Sequence, residues 1–495
     1  MKARLSHANR LLRPAARQAR RPRVQRSGPR RPARRRPSSF TPHPAWEDAR
    51  RAAASLSVLR GVLGDPIGRA WMDLIEAVTS PVPEPARVSA AYGRVFTLLA
   101  GEVELAAEPL VGDAWQHHLL SRLLDDENPF SLKAERADWP DIGPALIAQT
   151  QADLTALQHC HRLGGAGIVD AASRLAGVPA TPWDAFRPLH ASSDRSPRRK
   201  MMQRLHAARD WGGLARDVAG YFARNGVGLF GRYRAFRWIR LNGEGRLDGV
   251  PAPDPVRLVD LVDYELEREP VVENTRQFLA GAPANNVLLY GDRGTGKSST
   301  VKALLNQFHG QGLRLIEVSK EHISDYPEII ALLRGRRERF ILFVDDLSFE
   351  EHETQYKALK AALEGTLETR PDNVVLYATS NRRHLIVERF SDRQKASLED
   401  EVHPEDTAQE KLSLADRFGI HAPFLIPDQE RYLRVVEGLA ARYGVRLGQG
   451  ELRRRALLWS KWHNGVSCRT ARQFIDSLRG EAMLAGAPGE VRRQR

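Results

Sequence analysis

Gly291, Gly296, Lys297 and Ser298 stand in the order G-x-x-x-x-G-K-S within the stretch "LLYGDRGTGKSST" (288–300). These residue types at this spacing suit one chemistry, the holding of a chain of phosphates. Glycines let the backbone turn tightly enough to aim successive N–H groups at phosphate oxygens, and a helix opening behind them adds its positive dipole end. Lys297 is spaced to reach the β and γ phosphates of a triphosphate, and the Ser298 hydroxyl to ligate Mg²⁺. Asp292, Arg293, Gly294, Thr295 and Ser299 complete the expected cradle.

A phosphate loop needs a carboxylate from a neighbouring strand. "RFILFVDDLSFE" (339–350) supplies Asp345 where the apolar run ends, placed to hold Mg²⁺ through water, with Asp346 next to it. A water that attacks a γ phosphate needs an oriented proton acceptor within hydrogen-bond reach, and the second carboxylate is the natural one. Glu350, four residues on, ranks behind Asp346 for that role.

These groups must be carried by a sheet. From about 256 onward, apolar runs at 287–290, 313–318, 340–344, 374–378 and 424–426 alternate with helical segments. Nearly continuous apolar strands separated by helices predict a parallel sheet covered on both faces. After Pro427 the pattern predicts helices only, at 428–444, 449–463 and 467–485, as a small lid. Upstream, about 45–236 reads as helices between Pro/Gly breaks; Trp71, Leu74, Ile75 and Val78, for example, recur at the spacing of one helix face. The run "GRYRAFRWIRLNGEGRLDGVPAPDPVRLVDLVDYE" changes to short β-type pieces and reads as a connector.

Composition bounds the rest. A chain of 495 residues with 42% hydrophobic content is long enough for two to four domains and a sizeable core. No apolar run is long enough to span a bilayer, and the start lacks a signal-peptide core, so a cytoplasmic location is expected. Cys160 and Cys468 are too far apart and too unlike in context for a disulfide framework or thiolate metal site. His117, His118, His159 and His161 read as structural, because adjacent helical residues point about 100° apart and share an ion poorly.

The net charge of +14 sits at the beginning of the chain. Before Glu47 there is no acidic residue, while Lys2 and thirteen arginines supply the whole excess, and the remainder balances. This Arg/Pro-rich tail is expected to be disordered. It could contact nucleic acid or an anionic surface with steep salt dependence, or be a solvated extension or upstream sequence without a partner.

Taken together, "GDRGTGKS", "FVDD", "YATSN", "LADRFG" and "SCRTARQF" occur in the order and rough spacing of the AAA+ ATPases. The wording "DDLSFE", "ATSNRRHL" and "SLADRFG" resembles a bacterial family of poorly characterised ATP-binding AAA+ proteins, over about residues 230 to 490. The resemblance implies an α/β P-loop NTPase core, with a parallel sheet sandwiched by helices and a C-terminal helical lid. ATP and Mg²⁺ are the implied cofactors. Asn381 matches the position called sensor 1, between the acidic strand tips, where its amide helps hold the attacking water. Arg417 matches the arginine finger presented to a neighbouring subunit's ATP. Arg469, in the first turn of a lid helix, matches sensor 2, with Arg472 one turn away as the other candidate. A planar, permanently charged guanidinium suits the charge that the γ phosphate gathers in the transition state.

One departure stands out. Most AAA+ proteins have glutamate after the metal-binding aspartate, whereas this chain has Asp346, one methylene shorter. That is compatible with hydrolysis and leaves rapid turnover open. The charged segment 388–414 reads either as a substrate or subunit contact or as a solvated loop.

The expected organisation is a disordered tail (1–45), a mostly helical N-terminal domain (46–235), a connector with the nucleotide-binding α/β core (236–426), and a helical lid (427–495). The expected function is that of a Mg²⁺-dependent ATPase. It would assemble with itself into a ring or spiral and remodel or load an unidentified protein or nucleic-acid substrate. The alternative is a slow-turnover, ATP-controlled binding module; a kinase fits poorly, because the sensor and finger motifs would be idle.

Overall fold

The computed structural model describes residues 44–106, 109–177, 179–188, 196–347, 359–360, 363, 370–381, 417–463 and 465–484. The basic tail before residue 44, Glu350 and the segment 388–414 lie outside the described residues.

Among the described residues, seven strands form one sheet in the order β2-β1-β4-β5-β6-β3-β7: β1 (Ala235–Leu241), β2 (Glu244–Gly249), β3 (Val287–Gly291), β4 (Leu313–Glu317), β5 (Arg339–Val344), β6 (Val374–Ser380) and β7 (Ile420–Phe424). All neighbours run parallel except β1 and β2. The central strands are apolar along most of their length because both faces are covered, with Thr379 and Ser380 closing β6 at its carboxyl end. Leu288, Leu342 and Leu376 enter one core, while Val287, Leu289, Ile341, Phe343, Val375 and Tyr377 enter the other. Truncating a fully buried side chain such as Ile341 to alanine is expected to cost about 2–5 kcal/mol.

Two strands differ from the sequence pattern. The piece read as a connector is a β-hairpin, turned by Asn242 and Gly243 with φ of 53° and 86°, and its first strand joins the core sheet beside β4. Asn-Gly supplies the paired positive φ values that a two-residue hairpin turn needs. The last strand, placed by its apolar run at 424–426, instead ends at Phe424. Its inward positions are Ala422 and Phe424, with His421 and Pro423 facing out. That alternation, with a proline tolerated on an edge, is harder to see than a run of three apolar residues.

The helices that matter to the site are α11 (Glu265–Leu279), α12 (Lys297–Phe308) and α13 (Tyr326–Leu333) in the core, and α14 (Gln429–Arg442), α15 (Gln449–Trp462) and α16 (Cys468–Leu484) in the lid. The lid has its own apolar centre, built from Tyr432, Val436, Leu439, Ala456, Phe474 and Ile475. Inside the core, the buried Tyr377 hydroxyl meets Asn274 at 3.0 Å and Thr275 at 2.8 Å, fastening β6 to α11. This is the expected α/β core, a parallel sheet sandwiched by helices, with a C-terminal helical lid.

Before the sheet, the described residues form ten α-helices, from α1 (Pro44–Ser55) to α10 (Gly228–Arg232). The helix read around Trp71 is Pro66–Thr79, begun by Asp65, whose carboxylate caps the Ile67 and Gly68 N–H groups. Trp71 stacks on Trp115 at 4.4 Å in the helical core. His118 is buried between Glu102 at 3.0 Å and Asp65 at 3.3 Å, and no group of side chains among the described residues is arranged to hold a metal ion. Where helices meet sheet, Arg336 pairs with Glu127 and Glu135, and the Arg314 guanidinium donates to the Phe230 and Asn225 carbonyls. No helix among the described residues is long and apolar enough to cross a membrane.

Candidate nucleotide site

Parallel strands deliver their carboxyl ends to one edge of the sheet, and there β3, β6 and β5 lie side by side. Gly291 ends β3, Asn381 follows β6 and Asp345 follows β5, so three motifs separated in sequence meet at one edge. The arrangement places Asn381 between the phosphate loop and the acidic turn.

The loop itself follows from its glycines. Gly291, Gly294 and Gly296 have φ of 131°, 76° and 97°, conformations that side chains resist. Gly291 has a second reason: a Cβ there would lie 2.1 Å from the Phe424 carbonyl oxygen of β7. Helix α12 opens at Lys297, and its first turn lines the cleft, at the helix end where N–H groups lack partners within the helix. Lys297 is buried, and its ammonium donates to the Gly291 carbonyl at 2.9 Å, the Asp292 carbonyl at 2.7 Å and the Asn381 side-chain oxygen at 3.1 Å. Burial lowers the pKa of this ammonium, Asp292, Asp346 and Asp345 resist, and the nearby Arg469 charge lowers it further.

Opposite the loop, the Ser298 hydroxyl donates to the Asp345 carboxylate at 2.6 Å. The same carboxylate oxygen accepts from the Thr379 hydroxyl at 2.5 Å. Thr379 also accepts from the Asp346 N–H at 2.9 Å, holding the turn in which Asp346 has a φ of 53°. The Asn381 amide completes the set by donating to the Asp346 carboxylate. A hydroxyl and a carboxylate meeting at this spacing form the hard-oxygen donor pair that Mg²⁺ prefers, so Ser298 and Asp345 fit the ion that the sequence implies.

These groups line a cleft of about 900 Å³ that runs from the loop to the lid. Arg293, Gly294, Thr295, Gly296, Lys297, Ser298 and Ser299 line it, as do Asp345, Asp346, Asn381 and Arg469. Leu261, Val262, Leu439 and Tyr443 also line it, together with the charged Asp260, Arg268 and Arg472. Gly291 and Asp292, expected in the cradle, are not among the lining residues: the Asp292 carboxylate accepts from the Ile426 N–H at 2.9 Å instead.

Of the two lid arginines, Arg469 is attached to the loop, its backbone N–H donating to the Gly294 carbonyl at 3.1 Å. Arg472 also lines the cleft, but its guanidinium is engaged by neighbouring lid groups. Its guanidinium pairs with Asp476 at 3.0 Å, lies 4.4 Å over the Tyr443 ring and bonds the Tyr443 hydroxyl. Arg417 is not brought to this cleft. It precedes β7, whose Ile420 pairs with Val287 and whose Phe424 pairs with Gly291, so it sits at the opposite end of the sheet. Thr379 was not anticipated from sequence. The available signal was its position two residues before Asn381, at the carboxyl end of β6.

Residues 231–482 match a family described as "Protein of unknown function (DUF815)". A search of curated proteins finds no match. Among solved structures, the Holliday junction branch migration motor RuvB of Thermotoga maritima is similar at 16% identity and a TM-score of 0.34, over 47% of this chain and 67% of that one. The FIGL-1 AAA domain in complex with ADP is similar at 16% identity and a TM-score of 0.32, over 47% of this chain and 75% of that one. The family match spans just over half of the 495 residues, and the chain belongs to the DUF815 family.

Proposed function

We propose that the chain binds ATP with Mg²⁺ in the cleft between phosphate loop and lid, and hydrolyses it as part of a self-assembled ring or spiral that remodels or loads a protein or nucleic-acid substrate. The observation that carries this reading is the convergence of Lys297, Ser298, Asp345, Asp346, Thr379 and Asn381 on one sheet edge. In this reading Lys297 and the loop N–H groups bind the β and γ phosphates, while Ser298 and Asp345 hold the metal, which when bound offsets phosphate charge. Asp346 accepts the proton of the attacking water, and Asn381 orients that water and the carboxylate. Arg469 reaches the phosphates from the lid.

Arg417, at the far end of the sheet from its own cleft, supports delivery to a neighbouring subunit's ATP. A second reading, a nucleotide switch with slow turnover, is favoured by one feature: the short Asp346 side chain is already engaged by the Asn381 amide.

The test is the ATPase rate as a function of protein concentration, with and without DNA, alongside molecular mass with and without nucleotide. Assembly-dependent hydrolysis predicts a rate per subunit that climbs with concentration as the mass increases. No affinity for adenine nucleotides, or full-speed hydrolysis by a lone subunit, would sink the proposal. Slow turnover indifferent to concentration, with ATP altering partner affinity, would favour the switch.

A further inference from the structure

The segment joining core to lid is gripped by the phosphate loop. Strand β7 ends at Phe424 and α14 starts at Gln429, and the side chains of the intervening Leu425 and Ile426 are 60% and 57% exposed. Burial of these two side chains does little to fix the joint; Pro427 beyond them is buried, and the backbone of Leu425 and Ile426 is fastened by hydrogen bonds. The Asp292 N–H donates to the Phe424 carbonyl at 3.1 Å, and the Ile426 N–H donates to the Asp292 carboxylate at 2.9 Å. Between them, the Tyr264 hydroxyl donates to the Leu425 carbonyl at 2.6 Å.

Tyr264 is itself tightly held. It and Asp263 are consecutive residues in the left-handed region, with φ of 64° and 66°, a conformation that surrounding structure must impose. The Tyr264 ring is stacked on Phe424 at 5.6 Å and covered by the Arg431 guanidinium at 3.7 Å. Arg431 belongs to the first lid helix and pairs with Asp263 at 2.9 Å and Glu267 at 2.8 Å. One unbroken path thus runs from Asp292 through the joint and Tyr264 to the lid.

Lys297 bears on this path. Its ammonium donates to the Gly291 and Asp292 carbonyls, in the residues that touch the end of β7. A phosphate drawing the ammonium toward itself releases those carbonyls and loosens or re-aims Asp292. We propose that Asp292, acting with Tyr264, is a positioning residue through which occupancy of the phosphate loop sets the lid. This rests on reading the cleft as a nucleotide site.

The experiment is hydrogen exchange over residues 424–436, with and without ATP, in the wild-type chain, Asp292→Ala, Asp292→Asn and Tyr264→Phe, together with the affinity for a fluorescent ATP analogue. Asparagine keeps an oxygen that can accept from the Ile426 N–H, and alanine does not. ATP is expected to change exchange over this segment in the wild type and Asp292→Asn, while Asp292→Ala loses the response with affinity weakened no more than about tenfold. Should Asp292→Ala fold poorly, Tyr264→Phe removes only a hydroxyl and is expected to lose the same response. A wild-type response in either disabling variant, or an asparagine variant as defective as alanine, overturns the proposal. If the wild type binds the analogue but its exchange over 424–436 is unmoved by ATP, the proposal alone fails. If the wild type binds no nucleotide, the reading of the cleft fails and takes the proposal with it.

Discussion

The Thr379 hydroxyl donates to the Asp345 carboxylate at 2.5 Å while accepting from the Asp346 N–H at 2.9 Å, so one side chain on β6 sets the aim of both acidic residues on the neighbouring strand end. Thr379→Val keeps the shape and removes both hydrogen bonds. Groups that orient a metal ligand typically matter by about 10–100-fold, so turnover should fall by that factor. Nucleotide affinity measured without Mg²⁺ should stay near wild type. Unchanged turnover would mean that the acidic turn holds its geometry unaided.

Arg417→Ala should leave ATP binding within about twofold and reduce hydrolysis on the order of 10³-fold, the lower range of what a supplied arginine contributes. Mixing the variant with wild type should depress the rate below the average of the two, because each defective subunit disables its neighbour's site. A rate that simply averages rules out delivery in trans.

Arg469→Ala should weaken nucleotide binding by about tenfold, the scale of one charge-assisted contact. Arg472→Ala should barely change affinity and should destabilise the lid by about 1 kcal/mol, through loss of its contact with Tyr443. Isothermal titration and denaturant melts separate the two, and equal losses of affinity would return Arg472 to candidacy.

Glu338 sits where the helical region meets the sheet. Burial pushes its carboxyl up to about 7 from 4.5, Glu135 beside it adds to the rise, and Arg314 opposes. Glu127 and Arg336 complete the cluster. Because the folded state binds this proton more tightly, the stabilisation is complete below the ordinary carboxyl value and is lost as pH rises through about 7. The chain should therefore lose about 1–3 kcal/mol between about pH 5 and about pH 8 by this route. Glu338→Gln should flatten that dependence in chemical denaturation; an equally steep curve in the variant would assign the effect to other groups.

The phosphate loop could be read from sequence because its chemistry leaves little freedom: glycines where the backbone turns, a lysine and a hydroxyl where the helix opens. Strands β5 and β6 were legible because burial on both faces demands unbroken apolar runs. What escaped depended on pairing between distant segments. Thr379 looks like an ordinary strand residue until Asp345 is seen beside it, and Asp292 looks like a loop residue facing phosphate until Ile426 is found against it. Strand β7 was misplaced because its pattern alternates on an edge, and the apolar Leu425 and Ile426 drew the assignment past its end. The choice between Arg469 and Arg472 was likewise open in sequence, since only the fold shows Tyr443 and Asp476 occupying one of them.

The hairpin has an effect on sociability. As the outermost described strand, β2 is short, and the exposed Glu244, Arg246 and Asp248 alternate along it, so the border it presents is charged and poorly suited to recruit a foreign strand. By folding back its own polypeptide on that flank, the molecule guards this border of the sheet against strand-to-strand growth.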